Sequence, residues 1–251
     1  MRRASRLATC TALLCALAAA GCGSSAPTLR VSAAASLQQA FTSYAKSFAP
    51  ARVSLSFAGS DALAAQIEHG ARPDVFASAN LELPAALYAK GLVEKPVEFA
   101  ANKLVLAVPA RSSITTITQA MRPGVTIAVG TPTVPIGFYT ATVLAHLAPA
   151  PRRALLVNIR DRESDVTGIV GKLDEGAVDA GFVYTTDAAA TRGAVRAIAL
   201  PAALQPRVGY AAAVVRGSGH GAQARAFIRG LLAGAGRAKL RASGFLPPAS
   251  A

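Results

Sequence analysis

Apolar residues recur along this chain in two alternating rhythms. Short apolar or alternating runs at 29–33, 53–57, 74–77, 104–108, 125–129, 155–159, 178–184, 198–200 and 210–215 read as strands. Between them, apolar residues return at helical spacing. From Ser36 onward, Leu37, Ala40, Phe41, Tyr44 and Phe48 share one face. Further helices are predicted over 61–69, 81–90, 138–147, 166–175 and from 222 onward, with Gly70 and Gly91 as stops for the first two. This alternation predicts an α/β protein with layered, largely parallel sheets. There is no internal repeat and no long low-complexity linker.

The first two dozen residues break the rhythm. Arg2, Arg3 and Arg6 precede an apolar run from Leu7 to Ala20, and Ala19-Ala20-Gly21-Cys22 follows. This is the layout of a secretory signal over residues 1–21. It resembles a bacterial lipobox, in which the cysteine becomes the lipid-modified first residue, although Ala19 stands where leucine is usual. Cleavage without lipidation is the other reading. The three cysteines are Cys10, Cys15 and Cys22, so no disulfide can staple the body of the protein. A lipid on Cys22 would tether that body to a membrane, with residues 22–28 as a flexible link. The expected location is extracytoplasmic, at the outer face of the cytoplasmic membrane or in the periplasm.

Composition narrows the function classes. The 251 residues are 52% hydrophobic and 16% charged, enough for one large domain or two small ones. Aromatics are 6% with no Trp, which disfavours a sugar platform or a single-strand stacking surface. No later apolar stretch is long enough to span a membrane. Net charge is +13, falling to +10 without Arg2, Arg3 and Arg6. The excess is scattered and fits a dispersed arginine-rich surface better than a nucleic-acid stripe or an anionic-surface contact. No nucleic-acid partner is expected. Nucleophile-elbow and HExxH patterns are absent, and His69, His146 and His220 read as surface residues, so no enzyme is expected.

Candidate chemistry lies at strand-to-helix junctions, where open α/β sheets bind ligands. Ser36 and Ser60 occupy N-cap-type positions; Pro135-Ile136-Gly137 opens one helix, Asp165-Val166 another, and Tyr184 ends a strand. Helix N-termini offer free N–H groups and about half a positive charge each. A serine in such a position ordinarily caps its helix and does no more. Spacing alone therefore reads as an exported α/β protein with the means to hold an anion.

The segments VSAAASLQQAF, SFAGSDALAAQIEHGARPDVFASAN, AVGTPTVPIGFY and SDVTGIVGKLDEGAVDAGFVYTTDA, in this order, closely resemble the periplasmic molybdate-binding proteins of ABC importers. The likeness runs from about residue 29 to 248. It implies a type II periplasmic-binding-protein fold: lobe 1 over 29–103 with 209–251, lobe 2 over 104–208, and crossover strands near 103–108 and 209–213. It also implies an oxyanion held by the hydroxyls of Ser36, Ser60 and Tyr184 and the backbone N–H groups of Ile136 and Val166. The ligand would be molybdate or tungstate, with no resident cofactor and no direct cation ligands. A membrane permease and its ATPase would be the partners of a monomer. Asp61 stands where relatives often carry serine, and Thr131 where many have Asp. If Asp61 faced the ligand it could favour hydrogen phosphate. A protein of the same fold for sulfate, phosphate or an organic acid is the alternative.

Overall fold

The computed structural model describes residues 27–249. The expected signal segment, Cys22 and most of the tether lie outside them. Strands β1 (Thr28–Ala34), β2 (Arg52–Ala58), β3 (Val75–Ser78), β4 (Val97–Asn102) and β10 (Val208–Val214) form one sheet, ordered β2-β1-β3-β10-β4. Strands β5 (Leu104–Pro109), β6 (Ile127–Gly130), β7 (Ile159–Glu163), β8 (Ala180–Tyr184) and β9 (Val195–Ala199) form the other, ordered β7-β6-β8-β5-β9. The two orders correspond position by position.

In each sheet the fourth strand runs against its neighbours: β10 against β3 and β4, β5 against β8 and β9. The sheets are thus mixed rather than largely parallel. Those reversed strands are the ones entered when the chain changes sheets. It passes from the first to the second at Lys103, between β4 and β5, and returns through residues 200–207. The expected crossover segments, 103–108 and 209–213, fall on Lys103 with most of β5 and on β10, the two strands so entered.

Helices cover both faces of the first sheet. Helices α1 (Gln38–Ala45), α8 (Gly221–Leu232) and α9 (Ala235–Ala242) lie on one face, where Phe41, Tyr44 and Phe48 pack around Phe227 at ring separations of 5.5, 4.6 and 5.3 Å. On the other face, α2 (Ser60–Glu68) and α3 (Glu82–Ala89) bury Leu63, Ile67 and Leu87 with Phe76 of β3. Alternation along β3 sends Phe76 one way and Val75 and Ala77 the other. Each large apolar side chain so buried contributes ~2 kcal/mol. Gly70 and Gly91 take φ of +102° and +72° and end α2 and α3 as the sequence predicts.

The second sheet carries α4 (Pro135–His146), α5 (Pro149–Asn158), α6 (Val166–Asp174) and α7 (Thr185–Ala190). Residues 155–159, read as a strand, are instead the last turn of α5 with the first residue of β7. The run Leu-Leu-Val-Asn-Ile is apolar enough for either state. Pro149, pre-set for the first turn of a helix, commits the segment before it is reached. Strand β4 and helix α7 escaped the periodicity reading. Among the described residues no helix is long and apolar enough to cross a membrane.

Candidate functional site

Six chain segments border one small cavity between the two sheets; Ala79, just after β3, is on one of them, and the other five carry the residues picked out in the sequence. The turn after β1 brings Ser36, and the start of α2 brings Ser60. From the other sheet come the first turns of α4 and α6, with Ile136 and Val166, and the end of β8, with Tyr184. All five residues picked out in the sequence line it, and each is at least nine-tenths buried. The cavity is about 20 Å³ when traced by the centre of a water-sized sphere. A sphere of that volume has a radius of about 1.7 Å, room for the oxygens of one tetrahedral oxyanion and not for a sugar or peptide.

The serines differ from the N-cap positions expected of them. Ser36 sits inside a 3-10 turn, Ala35–Leu37, and Ser60 is the first residue of α2, whose N-cap is Gly59. Neither hydroxyl caps its own helix. Ser60 Oγ accepts the N–H of Ala79 at 3.1 Å, which leaves its proton free to point into the cavity. Ser36 Oγ lies 3.0 Å from the hydroxyl of Tyr210, which also bonds the side chain of Asn102. Asn102 in turn donates to Thr186 Oγ1 at 2.9 Å.

Tyr184 carries the most telling atom. Its hydroxyl is buried and has no hydrogen-bond partner among the described residues. An orphaned buried hydroxyl costs about 1–3 kcal/mol unless something fills its shell. Burial, then the neighbouring Tyr210 and Tyr139 and the carboxylate of Asp187, hold its pKa well above the ordinary phenol value. It is therefore a permanent donor.

Backbone donors complete the set. Ile136 and Val166 lie in first turns, where N–H groups have no intrahelical acceptor. Asp165 caps α6 by accepting the N–H of Thr167 at 2.8 Å and of Gly168 at 3.3 Å, one and two residues past Val166. Helix α4 starts hard against β6: a Cβ on Gly137 would overlap the Thr131 carbonyl. Among the described residues no Lys, Arg or His lines the cavity, and the one charged residue that does is Asp165. The cavity's positive character comes from donor hydrogens and two helix N-termini.

Asp61 and Thr131 are not among the lining residues. The Asp61 carboxylate instead accepts from Thr133 Oγ1 at 2.7 Å. Asp187 supports the site from behind. Its Oδ2 accepts the N–H of Tyr184 at 3.2 Å. Burial raises its pKa to about 7; the Tyr184 bond lowers it, and nearby Asp165 raises it. Beside the small cavity a wider cleft of about 660 Å³ shares Ala35 and Ser36 and runs between α1 and the α6–α7 edge.

Tyr210, Asn102, Asp187 and Thr133 were not found from sequence. Each acts through a partner far along the chain or through a residue already singled out, and no local motif marks them. Of the histidines, His69 and His146 are exposed as expected, whereas His220 packs its Nδ1 3.3 Å from the buried Asp74. Among the described residues no group of His, Cys, Asp or Glu is arranged to hold a metal ion.

Comparison with known proteins accords with this architecture. The chain is 34% identical over 260 residues to the molybdate-binding protein ModA of Mycobacterium tuberculosis, covering 95% of this chain and 97% of that one. Its fold is similar to the periplasmic molybdate-binding protein of Azotobacter vinelandii, at 24% identity and a TM-score of 0.76 over 88% of this chain and 99% of that one. It is equally similar to the sulfate-binding protein SubI of M. tuberculosis, at 18% identity and a TM-score of 0.77 over 88% and 87%. The family model described as bacterial extracellular solute-binding protein matches residues 29–246, and the chain belongs to that family.

Proposed function

We propose that this protein captures molybdate, and tungstate with it, outside the cytoplasm and delivers it to an ABC permease driven by a separate ATPase. The observation that carries the reading is the buried, partnerless hydroxyl of Tyr184 in a cavity lined by Ser36, Ser60 and the first turns at Ile136 and Val166. Each of these groups can donate a hydrogen bond to an oxyanion. A fully deprotonated dianion offers acceptors to all of them at once, whereas a ligand bearing O–H gives up one acceptor oxygen to its proton. The kinship with molybdate-binding relatives points the same way.

Sulfate is also an all-acceptor dianion, so size must separate it. Its shorter bonds cannot reach every donor at once in a rigid cage. Molybdate and tungstate are nearly isosteric, so little discrimination between them is expected. Residues 29–103 with 209–251 would form one lobe and 104–208 the other, with closure about the two crossings burying the anion. A lipid on Cys22 would hold the monomer at the membrane face.

Calorimetric titration of anion-stripped protein with molybdate, tungstate, sulfate and phosphate tests this. Tight one-to-one binding of the first two, with weak sulfate and phosphate, is the expected result. Sulfate or phosphate binding more tightly than molybdate would establish the alternative, a protein of the same fold for another anion, which the likeness to SubI keeps in view.

A further inference from the structure

Outside the cavity lining the lobes also meet through a side-chain contact. Asp61, the second residue of α2 beside the first sheet, accepts a hydrogen bond from Thr133, in the loop that leads into α4 beside the second. Oδ2 takes the bond at 2.7 Å; Oδ1 is buried and has no partner among the described residues. The carboxylate sits on the seam itself. A Cβ on Gly59 would lie 2.9 Å from Asp61 Oδ1 and 2.5 Å from the carbonyl of Ser164, which belongs to the second lobe. One negative charge is thereby held at the N-terminal turn of α2 and next to the N-terminal turn of α4. Each terminus favours it, and the second does so only while the lobes are together.

We propose that Asp61 and Thr133 form a latch between the lobes, which sets how long the closed, anion-loaded protein stays shut. The inference rests on the oxyanion reading above. Opening the cleft parts α2 from the α4 loop, so the bond contributes nothing when an anion first enters. It acts on release, not on capture. Asp61 is a positioning residue: it lies off the cavity lining and changes the closed state without touching the ligand.

The test is stopped-flow association and dissociation of molybdate with Asp61→Ala, Thr133→Val and the double variant. A charge-assisted bond of this kind corresponds to roughly a tenfold faster release in each single variant, with the association rate unchanged within about twofold. The double variant should be no faster than the worse single, because both remove one interaction. Thr133→Val leaves Asp61 at the start of α2, so it separates the latch from helix stability, and Thr133→Ser should restore slow release. Unchanged dissociation, or effects that simply add, would overturn the latch. If the wild-type protein binds no molybdate, the anion reading fails separately. The latch is then judged by the radius of gyration of the anion-free proteins from small-angle scattering. A larger value in both single variants supports it, and identical values overturn it.

Discussion

Ser36 Oγ and Tyr210 OH lie 3.0 Å apart, joining residues 174 positions apart in the chain. The pair spans the turn after β1 and the strand by which the chain returns to the first sheet. With Asn102 on the same phenol, the Ser36 hydroxyl is held in place before any anion arrives. Ser36→Ala should weaken molybdate binding by ~1.5–3 kcal/mol, since it removes a donor to a buried charge. Tyr210→Phe should cost less and in the same direction, through loss of orientation. Calorimetry on both variants checks the order; equal losses would mean that the phenol itself reaches the ligand.

Tyr184→Phe separates function from stability. Its hydroxyl has no partner among the described residues, so removing it from the ligand-free protein deletes an unsatisfied group and keeps the ring. The melting temperature without anion should hold or rise, while affinity falls by about 1–3 kcal/mol. A fall in stability with unchanged affinity would remove Tyr184 from the site.

Gly59→Ala tests the seam. An added Cβ meets the Ser164 carbonyl at 2.5 Å in the closed arrangement and is relieved by opening. Affinity should drop roughly tenfold or more, as for a mild overpacking of about 1–3 kcal/mol, with the lobes still folded. Circular dichroism with calorimetry reads both parts.

The pKa of Asp187, raised to about 7 by burial, gives two signs to check. Between pH ~4 and ~7 the native protein holds a proton that the unfolded chain has released, so this group's contribution to stability falls as pH rises through that window and levels off above it. A dianion bound beyond Tyr184 favours the protonated carboxyl further. Binding near pH 7 should take up a proton and weaken as pH rises. Titration in buffers of different ionisation enthalpy measures that uptake, and Asp187→Asn should abolish it.

Asp74 acts in the opposite sense. It is fully buried and accepts from the Arg30 backbone at 2.7 Å and Ser218 at 2.6 Å, beside His220. Burial pushes its pKa up, but the hydrogen bonds and His220 outweigh that and leave it below the ordinary value. Its contribution is present above the unfolded-state pKa and is lost as pH falls through the lower native one. Asp74→Ala should destabilise the first lobe by about 2 kcal/mol or more in urea unfolding, because two donors lose a charged acceptor.

The sequence made the cavity legible because its donors belong to local junctions. A hydroxyl after β1, a hydroxyl opening α2 and two helix starts can each be read within a few residues. What escaped depends on distant partners. Strand β4 reads Val-Glu-Phe-Ala-Ala-Asn, with two alanines that favour no strand, and is fixed by pairing with β10 more than a hundred residues later. The partnership of Asp61 with Thr133 spans 72 positions, so its neighbours in sequence could suggest only a solvent or ligand role. Residues 155–159 misled because an apolar run has no period of its own.

All five strands of the second sheet fall between Leu104 and Ala199, while the first sheet waits for β10. Topologically, one lobe is a guest inserted into a host. The host cannot complete its sheet until β10 slots between β3 and β4, when nearly all of the chain is available. The guest can close much earlier. A chain emerging from its N-terminus would therefore mature the inserted lobe first, and the two half-sites would meet only in the last act of folding.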